Sequence, residues 1–328
     1  MNGTVRRRPR QGTPTAGRGM AAHFMAAAAV VLTASLLGCS SGGPDPQATS
    51  SPEPQTLPTA PAAPWKTAWS DSFNGPTGSG VSAVHWKYDN GQGAIFGTGE
   101  VEQTTSLPAN VHLDGNGNLD IVALKNGPTW TSGRIQTTRA QFEAPAGGEM
   151  IISASIRQPN PTNAVGYWPG FWLLGPGAWP ATGEIDILED VDAYNLVSGT
   201  LHCGNLTQRN PDGSFGPCHE HTGLSSGFRP CPDCQNTYHT YSVLIDRRDT
   251  GHEQIAWYLD GRQYFSVSEN RVGSAAWTPA VDHGLSIILD VGIGGSYPDG
   301  RCGCNSSVQA TPGAAMSIAG VWAYTRSG

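Results

Sequence analysis

The sequence predicts an all-β fold, a sandwich of two antiparallel sheets, for most of its length. Short runs that alternate apolar and polar residues recur between turn signals, whereas long amphipathic helical patterns are rare. The region after residue 64 is also rich in Gly, Ser, Thr and aromatic residues. With 328 residues, the chain is long enough for one large sandwich to occupy nearly all of this region.

The N-terminus predicts export. A basic region precedes a short apolar run, residues 24–37, which suits the hydrophobic part of a signal peptide better than a transmembrane helix. Small residues and then Cys39 follow this run, a pattern that resembles a bacterial lipobox. We expect residues 1–39 to be an export signal, with cleavage before Cys39 and a lipid anchor to the membrane on its thiol. The alternative is ordinary secretion without the lipid.

A second segment, residues 40–64, consists mainly of Pro, Ser, Ala, Thr and Gln and has almost no large apolar side chain. Such a composition cannot bury enough surface to fold. We therefore predict a disordered, semi-extended linker. The folded domain is predicted to occupy residues 65–328.

Several strands can be placed in this domain. Residues 110–113 and 118–123 flank the turn sequence DGNG, which predicts a hairpin. Other alternating or continuous apolar runs of strand length lie at residues 150–156, 241–245, 255–259 and 285–293. Their number and spacing are typical of an antiparallel sandwich.

The charge balance limits the class of partner. The whole chain carries −7, and residues 1–64 contain five Arg and two acidic residues, which leaves −10 for the domain. A nucleic-acid partner would favour a basic face, so we exclude it. A neutral polysaccharide is compatible with an acidic domain.

Residues 184–189 read EIDILE and combine acidic with aliphatic side chains. Glu184 and Asp186 alternate with isoleucines, which is the period-two pattern of a strand with one polar face and one buried face. Glu189 lies at an odd offset, so a regular strand would turn it to the other face. We predict a β-bulge near residues 187–188, because one extra residue brings Glu189 back to the acidic face.

Three neighbouring carboxylates repel one another, so the pKa of at least one should rise. Glycoside hydrolysis needs this combination of one ionised carboxylate and one protonated carboxyl. Trp168 and Trp172 are spaced to share one strand face, where aromatic rings can stack on the apolar faces of sugars. The alternative interpretation is a charged outer strand beside core tryptophans.

Two segments, WPGFWLLG at residues 168–175 and GEIDILE at residues 183–189, give the chain a specific resemblance to the laminarinase branch of glycoside hydrolase family 16. The resemblance covers nearly all of the predicted domain. It implies a β-jelly roll of two antiparallel sheets with a concave substrate cleft. It also implies that Glu184 is the nucleophile, Glu189 the general acid/base and Asp186 the residue that tunes both.

The activity implied by the resemblance is that of a retaining endo-β-glucanase acting on β-1,3-linked or mixed β-1,3/1,4-linked glucan, as a monomer. One alternative is a hydrolase or transglycosylase of another β-1,3-linked polysaccharide, such as a galactan. Another is a non-catalytic glucan-binding lectin on the same sandwich. Lectin-like relatives usually lose one catalytic acid, whereas this chain keeps all three.

The same resemblance implies that, in addition to Trp168 and Trp172, five further residues contact the substrate: Glu100, Arg134, His202, Glu220 and Tyr297. Structural alternatives stay open: a solvated loop carboxylate for Glu100, a surface salt bridge for Arg134 and a buried histidine for His202. Glu220 lies in a GPCHE loop, where His219 replaces the Asn seen in some family members. For His239 a structural role is the expectation.

The chain departs from the family pattern at three places. Asp290 stands where Asn is usual, and Tyr297 where Trp is frequent, so subsite preferences are expected to differ from those of typical laminarinases. The last strand, residues 317–321, lacks the Asp that often binds a structural calcium. We expect no cofactor and no metal; the alternative is a calcium held by backbone carbonyls near residues 71–75.

Six cysteines remain after Cys39: Cys203, Cys218, Cys231, Cys234, Cys302 and Cys304. In an exported domain an even number favours disulfides. We expect Cys203 to pair with Cys218, and the CxxC and CxC cysteines to be cross-linked to each other, because a CxC ring would be strained. The alternative is a zinc site built from those two motifs.

Overall fold

The computed structural model describes residues 64–328, apart from the side chain of Ala94. The predicted signal peptide, the lipobox Cys39 and nearly all of the predicted linker lie outside the described residues. Within residues 64–328, no helix has the length and apolar character needed to cross a membrane.

Strands dominate this part of the chain. In chain order they are β1 Lys66–Asp71, β2 Trp86–Tyr88, β3 Gly91–Gln92, β4 Glu102–Thr104, β5 Val111–Leu113, β6 Leu119–Val122, β7 Leu124–Asn126, β8 Thr129–Ser132, β9 Arg134–Thr137 and β10 Glu149–Arg157. They continue with β11 Tyr167–Leu174, β12 Glu184–Glu189, β13 Leu196–His202, β14 Leu224–Ser225, β15 Arg229–Pro230, β16 His239–Asp246, β17 Gln254–Leu259, β18 Arg262–Ser268, β19 Ser286–Ile293 and β20 Ala315–Arg326.

Helices are short and lie in the connections. They are a 3-10 helix, Gly93–Phe96, and the α-helices α1 Glu269–Val272, α2 Ser274–Val281, α3 Ser296–Cys302 and α4 Ser306–Gln309.

Two large antiparallel sheets form the body of the domain. Sheet 1 has the order β18-β17-β16-β10-β20-β6-β5, with β1 also paired with β20. Sheet 2 has the order β14-β13-β12-β11-β19-β9-β2, with β15 also paired with β13. A small third sheet, β3-β4-β8-β7, contains a parallel pair between β4 and β8. The predicted all-β sandwich of antiparallel sheets is confirmed.

Apolar side chains of both sheets meet in one large hydrophobic cluster, and a second, small cluster of Ile151, Leu244, Ala256 and Tyr258 belongs to sheet 1. Sheet 1 contributes Ile152, Val243 and Trp257, and sheet 2 contributes Phe171 and Leu188, all of them fully buried. Burial of such side chains contributes about 1.5–3 kcal/mol each. The core therefore holds the sheets together face to face and leaves the opposite face of sheet 2 free to carry a site.

The strands predicted from the sequence are present within one or two residues. β5 and β6 pair in the predicted hairpin, with Val111 opposite Ile121. Asp114 closes the turn by accepting the main-chain N–H groups of Asn116 and Asn118 at 2.7 and 3.0 Å. Burial alternates along both strands, with Val111 and Leu113 buried, and this explains why the alternation of apolar and polar residues predicted them.

The cysteines form three disulfides, and the pairing of four of them differs from the prediction. Cys203 bonds to Cys218 as expected. The cross-link between the CxxC and CxC motifs is wrong, because Cys231 bonds to Cys234 and Cys302 to Cys304.

The two motifs lie in different surroundings, which explains the pairing. Cys231 and Cys234 are buried at the hydroxyl of Tyr241, which donates to the Cys234 sulfur at 2.9 Å. Cys302 and Cys304 flank the left-handed Gly303 that ends α3, and this turn brings their Cα atoms within 5.2 Å. That separation lies in the range a disulfide can span, so the CxC pair does not need a distant partner. With all six cysteines paired, the zinc alternative lacks its ligands.

Candidate active site

Strand β12 carries the three acids and contains the predicted bulge. Against β11, Asp186 lies opposite Trp172 and Leu188 opposite Phe171, so Ile187 has no partner. The pairing with β13 shows the same register shift between Asp186 and Glu189. The extra residue returns Glu189 to the face that carries the other two acids, while the three intervening aliphatic residues are buried.

The bulge is supported from the opposite sheet. The indole nitrogen of Trp257, on β17, donates to the main-chain carbonyl of Asp186 at 2.7 Å. Gly199 on β13 makes room for this ring, since a Cβ there would lie 2.4 Å from the indole. A buried carbonyl without a donor would cost about 1–3 kcal/mol. The indole therefore stabilises the carbonyl that borders the bulge.

Burial raises the pKa values of all three carboxyls, and repulsion between the acids adds to it at Glu184 and Asp186. Burial is the main cause for Glu184, whose pKa rises to about 7 although the charge of His202 lowers it. Asp186 has the pKa raised well above its usual range, first by burial and then by the charges of Glu189 and Glu184. Burial also raises the pKa of Glu189. Glu184 can therefore hold or release a proton near neutral pH.

Trp168 and Trp172 lie on the same face of β11, as predicted, and both line the cleft. The Trp168 indole donates to the Glu189 carboxylate at 2.9 Å. The Trp172 indole donates to Asp290 on β19 at 3.2 Å. Both tryptophans are half-buried, so each ring fixes a carboxylate and leaves part of its surface to the cleft.

Arg134 lies in the cleft wall and is not a surface residue. Its guanidinium stacks on Phe96 and Trp172, with centroid distances of 3.9 and 4.7 Å. It faces Asp290 at 3.7 Å and Asp89 at 3.4 Å. Burial raises the pKa of Asp290 to about 6 although the charge of Arg134 lowers it. The surface salt-bridge alternative is therefore wrong.

His202 lies beside two of the three acids, Asp186 and Glu184. Its Nε2 lies 3.5 Å from Asp186 and 3.7 Å from Glu184. Glu220 does not face the cleft: only 1% of the residue is exposed, and its carboxylate lies behind His202, 2.7 Å from Nδ1. The prediction that Glu220 contacts substrate is therefore corrected. Glu220 lies two residues beyond the loop closed by Cys203 and Cys218, and it pairs with Phe215 of that loop through two main-chain hydrogen bonds of 2.9 and 2.8 Å.

The remaining predicted residues lie at the rim. Glu100 lines the cleft and accepts a hydrogen bond from Thr98 at 2.5 Å. Tyr297 is 39% exposed and packs edge-on against Trp168, 5.6 Å between ring centroids. His239 pairs with Asp260 at 2.7 Å and does not line the cleft, consistent with a structural role.

Comparison with known proteins identifies the family. The profile described as "XgeA-like, catalytic GH16 domain" matches residues 123–240. The endo-1,3-β-glucanase of Streptomyces sioyaensis has a crystal structure that covers 83% of this chain and 100% of its own, with 38% identity and a TM-score of 0.76. The chain belongs to glycoside hydrolase family 16.

Two further relatives support the assignment. The endo-β-1,3-glucanase of Pyrococcus furiosus is 26% identical, covers 80% of this chain and 96% of its own, and superposes with a TM-score of 0.61. The glucan endo-1,3-β-glucosidase A1 of Niallia circulans is 28% identical over 74% of this chain. The match spans only 36% of the length of that relative. The family 16 chain is thus a glycoside hydrolase with the predicted jelly roll.

Sequence reasoning missed two aromatic residues of this family 16 site. Phe96 covers the guanidinium of Arg134, and Trp179 is 37% exposed with its ring 5.5 Å from that of His202. His221 stacks on the other side of Trp179 at 5.7 Å. A usable signal existed for Trp179, because a second Trp-Pro pair directly precedes the acidic strand. Phe96 carried none, because only the fold brings it to Arg134.

Residues 71–75, where calcium was the alternative to the expected absence of a metal, contain one carboxylate, that of Asp71. Asp71 accepts the N–H of Phe73 through Oδ1. Its Oδ2 lies 2.9 Å from both His85 Nδ1 and the Trp86 indole nitrogen. Both carboxylate oxygens are therefore engaged within the protein, and the main-chain carbonyls of this turn are the donors left for a cation.

Proposed function

We propose that this chain is a retaining endo-β-glucanase that hydrolyses β-1,3-linked glucans and also accepts mixed β-1,3/1,4-linked glucans. The observation that carries the proposal is the bulge at Ile187, which places Glu184 and Glu189 on one face of the cleft. Both carboxyls have raised pKa values because they are buried together. The similarity to the Streptomyces endo-1,3-β-glucanase favours a β-1,3-linked glucan as the substrate.

The reaction proceeds in two displacements. In the first, a carboxylate oxygen of Glu184 attacks the anomeric carbon while Glu189 donates its proton to the departing glycosidic oxygen, which leaves as a free hydroxyl. In the second, Glu189 removes a proton from a water molecule, and that water displaces Glu184 from the sugar. Each carboxyl ends the cycle in its starting state.

Asp186 has a tuning role in this mechanism. It lies between the two glutamates on the strand and is 5% exposed. Its charge raises the pKa of its neighbours when ionised, and a proton held on it relieves that repulsion. We therefore assign it the task of distributing one proton over the three carboxyls.

The cleft walls suit a polymer of neutral sugars. Trp168 and Trp172 offer partly exposed rings, and Tyr297 and Trp179 add exposed aromatic surface at the rim. Aromatic rings pack against the apolar faces of sugars, while carboxylates and Arg134 supply hydrogen-bonding groups to the hydroxyls.

The first experiment measures reducing ends released from a β-1,3-glucan, a mixed-linkage glucan, cellulose and a β-galactan. Glu184→Gln is the test variant, and Glu143→Gln, outside the residues that line the cleft, is the matched control. We expect release from the first two polymers, loss of at least about 10³-fold in Glu184→Gln and wild-type rates in the control. Activity on the galactan alone would overturn the proposed substrate, and glucan binding without any release would indicate a lectin.

Stereochemistry tests the two-step mechanism separately. Proton NMR of the products in the first minutes of hydrolysis should show the β-anomer, because two inversions restore the starting configuration. Initial formation of the α-anomer would contradict the nucleophilic role of Glu184. Product length followed over time separates hydrolysis from transglycosylation, since transfer yields chains longer than the starting oligosaccharide.

We further propose that the protein is exported as a monomeric lipoprotein anchored through Cys39. The support is the lipobox-like sequence that follows the apolar run. On fractionation of cells, the unaltered chain should be found with the membranes, whereas the Cys39→Ser variant should be found in the soluble fraction. Light scattering of a soluble Cys39→Ser chain should give the mass of a single chain.

A further inference from the structure

Behind the catalytic face, Glu220 holds the imidazole of His202. Its Oε2 lies 2.7 Å from His202 Nδ1, and its Oε1 accepts the main-chain N–H of Cys203 at 2.8 Å. The Glu220 side chain has no exposed surface. Both carboxylate oxygens therefore face donors, an arrangement that fixes the ring of His202 in one orientation.

The opposite edge of the ring faces the acids. Nε2 of His202 lies 3.5 Å from Asp186 and 3.7 Å from Glu184. Among residues 64–328, no other basic side chain lies within 4 Å of the carboxylate oxygens of these two acids. One oxygen of Asp186, Oδ2, is buried and has no hydrogen-bond partner. A proton on Nε2 would point toward the carboxylate oxygens of these two acids, one of which, Asp186 Oδ2, is unpaired.

Three groups of residues surround the His202 ring, and two of them carry charge. β12 presents Glu184, Asp186 and, further along, Glu189, while the segment after Cys218 presents Glu220. On the third side the ring meets Trp179, beyond which His221 stacks. Four carboxyls thus surround one imidazole.

The hydrogen-bonding geometry favours the doubly protonated ring. With Nδ1 directed at the Glu220 carboxylate, the Nδ1 proton is used there. A neutral ring would then turn its Nε2 lone pair toward two carboxylates, which is repulsive while either is ionised. A proton on Nε2 converts this repulsion into attraction, so Glu220 and the two acids favour the same charged form.

We propose that Glu220 is a positioning residue for the glycosidase reaction: it keeps His202 oriented and cationic, and this cation keeps Glu184 ionised as the nucleophile. The role of Glu184 as nucleophile rests on the proposed function. The charge on His202 does not, because it is a property of the free protein. The loop closed by Cys203 and Cys218 then has a chemical purpose, because its Phe215 holds the main chain of Glu220 through two hydrogen bonds, with the Glu220 carboxylate at the back of the site.

The balance of charges agrees with this assignment. Burial lowers the pKa of His202, but the hydrogen bond to Glu220 and the charges of Glu184 and Glu189 outweigh it, and the net shift is upward. For Glu184, burial raises the pKa and the His202 charge is the largest opposing influence. Removing the cation should therefore leave Glu184 protonated up to a higher pH.

The test combines two measurements on the full chain. Nitrogen-15 NMR of the histidine rings, with the His202 signals assigned from His202→Gln, follows protonation of both ring nitrogens as the pH rises. In the wild type we expect His202 to stay doubly protonated through neutral pH. In Glu220→Gln it should lose its proton at least one pH unit lower. The acidic limb of kcat/KM on β-1,3-glucan should move to higher pH by about one unit in that variant.

Asn210→Ala is the matched control, because Asn210 braces the same loop through Gly216 without touching His202. If Glu220→Gln acts only by loosening the loop, both variants should lose activity at every pH, and the acidic limb of kcat/KM should stay where it is in the wild type. An unmoved acidic limb in Glu220→Gln would overturn the proposal. A neutral His202 in the wild type at neutral pH would also overturn it, even if Glu220→Gln does not fold. A wild type inactive on every glucan refutes the proposed function, whereas the NMR result still decides the charge of His202.

Discussion

The indole of Trp257 in sheet 1 and the main-chain carbonyl of Asp186 in sheet 2 are joined by a 2.7 Å hydrogen bond. The bond crosses the hydrophobic core and ends at the residue before the bulge. A buried core side chain therefore controls where the strand departs from regular pairing, and so the direction of the Glu189 side chain. The core and the catalytic face are coupled at this point.

Replacement of Trp257 by Phe should lower both stability and kcat. The buried carbonyl of Asp186 loses its donor, at a cost of about 1–3 kcal/mol. A small displacement of the acids should reduce kcat by about 10- to 100-fold. Trp277→Phe is the control, because this equally buried indole donates at 2.9 Å to Glu253 and not to β12. Urea unfolding measures the loss of stability, and kcat on β-1,3-glucan measures the effect on the acids. Equal kcat values in the two variants would contradict the coupling between the Trp257 indole and the catalytic face.

Trp168→Phe should move the basic limb of the pH profile to higher pH. The hydrogen bond from Trp168 lowers the pKa of Glu189, while burial raises it. Its loss leaves Glu189 protonated, and thus active as an acid, at higher pH. Trp172→Phe is matched in size, but its indole donates to Asp290, so its basic limb should stay in place. A profile of kcat/KM against pH gives the position of the basic limb in each variant. If the basic limb lies at the same pH in both variants, the hydrogen bond from Trp168 does not control the pKa of Glu189.

Glu102→Gln should make folding less dependent on pH. Burial raises the pKa of Glu102 from 4.5 to about 8. Because the folded-state pKa lies above the unfolded one, the wild type is stabilised at low pH and loses that stability as the pH rises toward 8. The variant cannot ionise here, and Gln keeps an acceptor for the Ile293 N–H. Its advantage over the wild type should grow to a few kcal/mol across this window. The free energy of unfolding is measured by denaturant at several pH values for both proteins. The same dependence on pH in the wild type and in Glu102→Gln would contradict the prediction.

The disulfides should contribute unequally to stability. Cys203 and Cys218 are 15 residues apart, and closing such a loop in the unfolded chain is worth about 3 kcal/mol. Cys302 and Cys304 are two residues apart, so the entropy removed by their bond is much smaller. Thermal unfolding of the two double-alanine variants should show the larger loss of Tm for Cys203/Cys218. The reverse order would show that strain or packing, not loop entropy, dominates.

Much of the site could be predicted from residues 166–190. The alternation of acids and aliphatic residues predicted a strand, and the odd offset of Glu189 predicted a bulge before the register was known. The Trp168 and Trp172 spacing placed both rings on one face. These predictions succeeded because strand periodicity is local: a side chain two or four positions away must lie on the same side of the sheet.

Other features were decided by contacts between distant parts of the chain. Glu220 was predicted to contact substrate, but the fold places its carboxylate behind His202, 2.7 Å from Nδ1. The CxxC and CxC cysteines bond within their own motifs, because the fold places the motifs in different surroundings. Trp257 gave no sequence signal that its indole supports the bulge in the opposite sheet.

The sequence by itself therefore determined the all-β class, the acidic strand and its bulge, since each depends on the period of a single strand. Only the tertiary structure decided which buried groups stand behind that strand. Hydrogen bonds and charges act over a few ångströms in space. Trp257, 73 positions after Glu184, reaches Asp186 only after the chain has folded, and Glu220, 36 positions after Glu184, reaches His202 in the same way.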